Sequence, residues 1–196
     1  MEHIINKTIN GSGDSDAHLM SLYGMCIGTK SKNILELGVR DGVTTLPLLM
    51  AAKETNGKVV SVDINPTNFQ PPEDLVEYWE FVQMDALEYL KKIDKTCVLD
   101  FVYVDDWHSY EHVKSELEEL DKCVSPKSLI ILHDLMYGNW SPHYHVDLTM
   151  DTGQWANGGP YRAVAELNKQ FWEFATIPVC NGLTILRKKY SNKYHY

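Results

Sequence analysis

Five short β-branched runs, each followed by room for about one helix, constrain this chain more than any other feature: Asn33-Ile34-Leu35-Glu36-Leu37, Lys58-Val59-Val60-Ser61-Val62, Trp79-Glu80-Phe81-Val82-Gln83, Leu99-Asp100-Phe101-Val102-Tyr103-Val104 and Ser128-Leu129-Ile130-Ile131-Leu132. Between them apolar residues recur at helical spacing, as Val43, Leu46 and Met50, then Ala86, Leu90 and Ile93, then Val113, Leu117, Leu120 and Val124. Parallel neighbours cannot be joined by a tight turn, so strands that alternate with helices build a doubly wound, mostly parallel α/β sheet with helices on both faces.

The flanks extend this plan. The spacing of Leu19, Tyr23 and Cys26 predicts a helix over Asp16 to Ile27, capped by Asp14, Ser15 or Asp16. Pro160 suits the first turn of a further helix that turns Val164, Leu167 and Phe171 inward. Asn181-Gly182 then predicts a C-terminal antiparallel hairpin between Phe174–Val179 and Leu183–Leu186, and Pro178 makes its first arm short or an edge. Residues 1–196 read as a single domain: an N-terminal helix in 14–30, a core in 33–134, a loop in 137–159, and a terminal helix and hairpin in 160–187. The loop is rich in Trp, His, Tyr, Asn and Gly without a clear period, which suits a lid or substrate wall.

Charge and composition narrow the function. With 18 Lys plus Arg against 27 Asp plus Glu the formal charge is −9, and no basic face is visible beyond Arg187-Lys188-Lys189, so no nucleic-acid partner is expected. The absence of a long apolar run or secretory-type start predicts a cytoplasmic protein with no membrane partner. Cys26, Cys97, Cys123 and Cys180 are scattered without a Cys-x-x-Cys pair and read as small apolar residues.

The strand ends carry the chemistry. The first strand runs into Glu36-Leu37-Gly38-Val39-Arg40-Asp41-Gly42, where glycines permit a sharp turn and close ligand approach, and where Glu36 is available to a cationic ligand. Asp63 follows Gly42 by 21 residues, the distance at which an acid can accept from both ribose hydroxyls. Asp85-Ala86 closes the third strand, and Asp85 can either cap the next helix with Glu88 or accept from an adenine amine. Glu36, Asp63 and Asp85 are expected to line one crevice.

This order of motifs, Glu36-x-Gly38-x-x-x-Gly42, Asp63, Asp85-Ala86 and a terminal hairpin, resembles the class I S-adenosylmethionine-dependent methyltransferases over about residues 14 to 187. The resemblance implies a Rossmann-like sheet and a donor site made by Glu36, Gly38, Gly42, Thr44, Asp63, Asp85 and Ala86. The fourth strand continues into Asp105-Asp106-Trp107-His108-Ser109-Tyr110-Glu111, and the fifth into His133-Asp134. That pattern is similar to the metal-dependent O-methyltransferases of the catechol type and of the macrocin and mycinamicin sugar type. Carried over by position, Asp105, His133 and Asp134 are metal ligands, while His108 is the general base and acts with Asp105 in catalysis.

A hydroxyl is a poor nucleophile at neutral pH, and a divalent cation beside a histidine base remedies that. The implied cofactors are S-adenosylmethionine and a divalent cation, magnesium or manganese, although His133 in a normally acidic position departs from magnesium's all-oxygen preference. The implied partner is a small acceptor, a sugar, sugar nucleotide, polyhydroxylated or aromatic molecule, with dimerisation around the pocket also expected.

Other positions read differently. Trp107, Trp140 and Trp155 are candidates for a ring-stacking wall and Trp79 and Trp172 for the core, whereas His143, His145 and Arg162 read as pocket or surface residues. A hydroxylase resembling cephalosporin hydroxylase and a non-catalytic nucleoside-binding module are the competing readings.

Overall fold

The structure is a computed structural model that describes residues 1–136, 153 and 155–190. In chain order its elements are α1 (Glu2–Asn10), a 3₁₀ turn (Asp16–His18), α2 (Leu19–Gly28), β1 (Asn33–Leu37), α3 (Thr45–Thr55) and β2 (Lys58–Asp63). A second 3₁₀ turn (Glu73–Tyr78) leads to β3 (Trp79–Gln83), α4 (Ala86–Lys92), β4 (Leu99–Val104), α5 (Tyr110–Leu120) and β5 (Val124–His133). A short 3₁₀ turn (Ala156–Gly158), α6 (Gly159–Ala165), β6 (Trp172–Ile177) and β7 (Leu183–Lys188) follow.

The seven strands form one sheet in the order β3-β2-β1-β4-β5-β7-β6. The first five are parallel, while β7 runs antiparallel to both β5 and β6. The expected terminal hairpin is thus present, with β6 at the edge, where Pro178 after its end costs no ladder bond. Chain progression reverses between β1 and β4, and doubly wound sheets bind ligands at the carboxyl ends beside such a switch point.

Strand alternation sorts the core onto two faces. Val102 and Val104 face a cluster with Leu90 of α4, Leu117 and Leu120 of α5 and Val164 of α6. Phe101 and Tyr103 face the opposite cluster, with Leu22 and Cys26 of α2 and Leu48 and Leu49 of α3. Trp172 is buried and joins the first cluster, and Trp79 packs against the second, as the sequence suggests.

The N-terminal region differs from expectation. The predicted helix begins as a 3₁₀ turn, and Ser15 at its cap position makes no side-chain cap bond; instead Asp16 accepts from the Gly13 amide at 2.8 Å. α1 is an additional helix outside the sequence expectation; Ile4, Ile5 and Ile9 lie toward one side of it, and Ile4 is the one that is buried. No helix among the described residues is long and apolar enough to cross a membrane. Trp140, His143, His145 and most of the 137–159 loop lie outside the described residues.

Candidate active site

The glycine loop after β1 is built by close backbone contact. Gly38 has φ +89°, and a Cβ there would lie 2.2 Å from the Asp105 carbonyl oxygen, so only glycine lets the loop meet the end of β4. Gly42 has φ +71° and fits against the Phe69 ring, so it serves the loop's own packing. Asp63 holds the loop from the neighbouring strand, with Oδ2 accepting from the Val39 and Arg40 amides at 2.9 and 3.1 Å and Oδ1 from Asn65 at 2.8 Å.

Glu36 does not face the expected crevice. Its carboxylate is fully buried beneath the loop and accepts from the hydroxyls of Thr44, Thr45 and Ser61 at 2.7, 2.8 and 2.6 Å. Burial pushes its carboxyl up to about 7, against the pull of these hydroxyls. Thr44 spends its hydroxyl on this network, and Ser61 also accepts from the Trp79 indole at 3.0 Å. The inward turn of Glu36 follows from strand alternation, a constraint that counting from the glycines overlooks.

A cavity of about 440 Å³ opens beside the loop, lined among others by Gly38, Asp63, Asp85, Ala86, Asp105 and Trp107. Ile64 and Trp107, both more than half exposed or at that limit, give it apolar walls. Asp85 also caps α4 by accepting from the Glu88 amide at 2.9 Å, so its helix-capping reading is realised while the residue still borders the cavity. A second, smaller cavity of about 180 Å³ lies between the Gly13–Asp16 stretch and the glycine loop, with Asp105 shared by both.

At Asp105 the strand ends converge. Its Oδ2 accepts from the buried Tyr103 hydroxyl at 3.0 Å and from Ser15 at 3.4 Å, which leaves Oδ1 facing His108 Nε2 and His133 Nδ1, each at 3.4 Å. Asp134 completes the group, with Oδ2 3.2 Å from His108 Nε2 and Oδ1 3.1 Å from His133 Nδ1. It does so from a left-handed backbone, φ +65°, a conformation aspartate tolerates better than most residues. The amide of Asp134 donates to Gly182 in the hairpin turn at 3.1 Å, which fixes that bend.

Electrostatics tie these groups together. Burial lowers the basicity of both imidazoles, but Asp105 and Asp134 outweigh it and raise His108 to about 9 and His133 to about 10. Burial opposes ionisation of the two carboxylates, and the same histidines nevertheless hold them below the ordinary range. Among the described residues, neither ring nitrogen of His133 nor Asp134 Oδ1 makes a hydrogen bond of good geometry, although all are sealed from solvent.

Sequence reasoning missed several neighbours. Besides Tyr103 and Ser15, His18 is buried with its ring edge-on to His133 at 5.3 Å, and its Nε2 donates to the Cys180 carbonyl at 3.2 Å. Trp155, named from sequence as a ring-stacking candidate, stacks here on the His108 imidazole with ring centroids 4.4 Å apart. Alternation along β4 could have flagged Tyr103, which shares a face with Asp105; the others meet only in the folded chain. Arg162 is paired with Glu166 at 2.8 Å and lies over the Tyr110 ring, away from this group.

Residues 35–135 match the family described as "Methyltransferase domain". No curated protein matches. Solved structures of similar fold include the O-methyltransferase from Bacillus cereus in complex with SAH, 16% identical over 96% of this chain and 90% of that one, TM-score 0.65. The O-methyltransferase TomG from Streptomyces achromogenes, in complex with SAM, is 16% identical over 89% of this chain and 80% of that one, TM-score 0.62. MycE, a methyltransferase of the mycinamycin biosynthetic pathway in complex with Mg and SAH, is 16% identical over 93% of this chain but 51% of its own length, TM-score 0.61.

Proposed function

The chain belongs to the methyltransferase domain family, and from that premise we propose that it moves the methyl group of S-adenosylmethionine to a hydroxyl of a small molecule, with a divalent cation assisting. The observation that carries this reading is the convergence of Asp105, His108, His133 and Asp134 beside the cavity at the switch point. Solved relatives of the same fold that hold SAM, SAH or Mg support it.

The donor set fits a cation. Two overlapping sets of side chains bring their donor atoms within 4.8 Å of one another, Asp105 with His108 and Asp134, and Asp14 with His133 and Asp134. Hydrogen bonds among the described residues do not account for the arrangement, since His133 makes none of good geometry with them. With His108 kept as the base, Asp105 and Asp134 would hold the ion and His133 or Asp14 would complete the set, and an imidazole among the donors favours manganese over magnesium. When bound, such an ion lowers the pKa of an acceptor hydroxyl and offsets the pull of the carboxylates on His108.

The remaining work belongs to the chain. Asp63 and Asp85 accept from the donor's ribose and adenine amine, with Ile64 and Trp107 against the flat ring. His108 Nε2 takes the hydroxyl proton, its ring plane set by Trp155. Tyr103 and Ser15 hold Asp105 so that one oxygen faces the reacting group. Sugars and small polyhydroxylated or aromatic molecules present hydroxyls of the kind such a centre activates.

Calorimetric titration with S-adenosylhomocysteine tests the donor, and saturable binding is expected; no heat at millimolar ligand overturns the reading. Methylation of a panel of sugar and catechol acceptors, with and without EDTA, tests the cation. A rate unchanged by EDTA removes the metal from the proposal.

A further inference from the structure

One residue beyond Asp105, the chain builds a second cluster that methyl transfer does not use. Asp106 comes from the turn after β4, and His112 and Glu116 stand one turn apart on α5. His112 Nε2 lies 3.0 Å from Asp106 Oδ2 and 3.4 Å from Glu116 Oε1. Glu116 is fully buried, and among the described residues neither of its oxygens accepts a hydrogen bond of good geometry; Asp106 Oδ1 is also sealed and, among the same residues, has none.

Two carboxylates therefore share one space with an imidazole, Glu116 at its sealed end and Asp106 and His112 on the cavity side. Two facing carboxylates of which one is fully buried need a proton or a cation between them, since both ionised and unpaired they are costly. A dication with a neutral imidazole brings the sum to zero. The i,i+4 spacing of His112 and Glu116 sets both side chains on one helix face, the arrangement by which a helix chelates an ion. The three ligand atoms lie within 4.8 Å of one another, and Asp106 and His112 border the 440 Å³ cavity, which supplies a route from solvent.

We propose that Asp106, His112 and Glu116 form a second cation site, distinct from the Asp105 centre, for a borderline divalent ion such as zinc. One imidazole and two carboxylates suit that class better than calcium or magnesium, which prefer all-oxygen shells. An ion here ties α5 to the exit of β4 and steadies the intervening Trp107, a wall of the cavity. The site does not depend on the methyl-transfer reading.

The test is zinc stoichiometry by equilibrium dialysis and elemental analysis on the full chain, stripped with EDTA and desalted. Wild type is compared with Glu116→Gln, His112→Gln and the double variant His133→Ala/Asp134→Asn, with circular dichroism to confirm folding. Glu116→Gln and His112→Gln are each expected to lose one equivalent, or to bind it at least tenfold more weakly, while the double variant keeps it. Zinc binding equal to wild type in both single variants overturns the site and assigns the cluster a shared proton. Loss of all zinc from the double variant also overturns it. Should Glu116→Gln fail to fold, His112→Gln decides alone. A protein that binds no S-adenosylhomocysteine yet shows this pattern loses the methyl-transfer reading and keeps the second site.

Discussion

Burial holds a proton on Glu36 up to about pH 7, whereas an unfolded chain releases it near 4.5. Between those values the unfolded state binds fewer protons, so this group's contribution to stability is whole below about 4.5 and is lost as pH rises to about 7. At ~1.4 kcal/mol per unit the loss is on the order of 3 kcal/mol. Urea denaturation at pH 5 and 7.5 is expected to show a smaller drop for Glu36→Gln than for wild type; parallel drops would place the pH sensitivity elsewhere. Gly38 makes a different single-residue demand. Its missing Cβ accommodates the Asp105 carbonyl, so Gly38→Ala should cost about 1–3 kcal/mol and weaken S-adenosylhomocysteine binding. Gly24→Ala, in open space within α2, provides the control and should be neutral or slightly stabilising.

Among the elements, α4 offers a clean separation of two roles. Asp85 caps it and also borders the cavity. Asp85→Ala should cost about 1 kcal/mol in urea denaturation through the lost cap, whereas Asp85→Asn, an equally good cap, should leave stability within about 0.5 kcal/mol. If the residue also accepts from adenine, calorimetry on the Asn variant should show weaker S-adenosylhomocysteine binding despite unchanged stability. Elements were legible in sequence where the signal was local. Leu99–Val104 reads as a strand because it is a buried β-branched run, and the hairpin reads from Asn181-Gly182. α1 has a one-sided pattern in Ile4, Ile5 and Ile9, but it spans only nine residues and has no capping side chain to mark its start. The 3₁₀ start of α2 was missed because Asp16 turns back to Gly13 instead of capping forward.

For the molecule as a whole, ion binding should register as stability. Manganese at 100 times its dissociation constant adds about 2.7 kcal/mol, which corresponds to a rise in Tm of about 5–10 °C for a chain of this size. Thermal-shift measurements should find that rise in wild type and a smaller one in His133→Ala; an equal rise in both would put the ion outside the Asp105 centre. The acids at the strand ends could be read from the chain because topology sends every parallel strand to the same edge. The approach of Ser15 and His18 could not, since they reach the centre across long stretches of sequence that no local pattern encodes.

That long reach bears on how the protein is made. His18 holds the Cys180 carbonyl, and Asp134 leans on Gly182. A nascent chain extended only to residue 170 would already carry Asp105, His108, His133 and Asp134, yet neither latch could close. Because contacts so remote in sequence form slowly, the centre is expected to mature late, after the parallel strands have assembled. Refolding followed by fluorescence and by ligand binding together should then show structure returning before binding competence. On that order of events the hairpin would be the last piece in place, and a chain still lacking it would bind no donor.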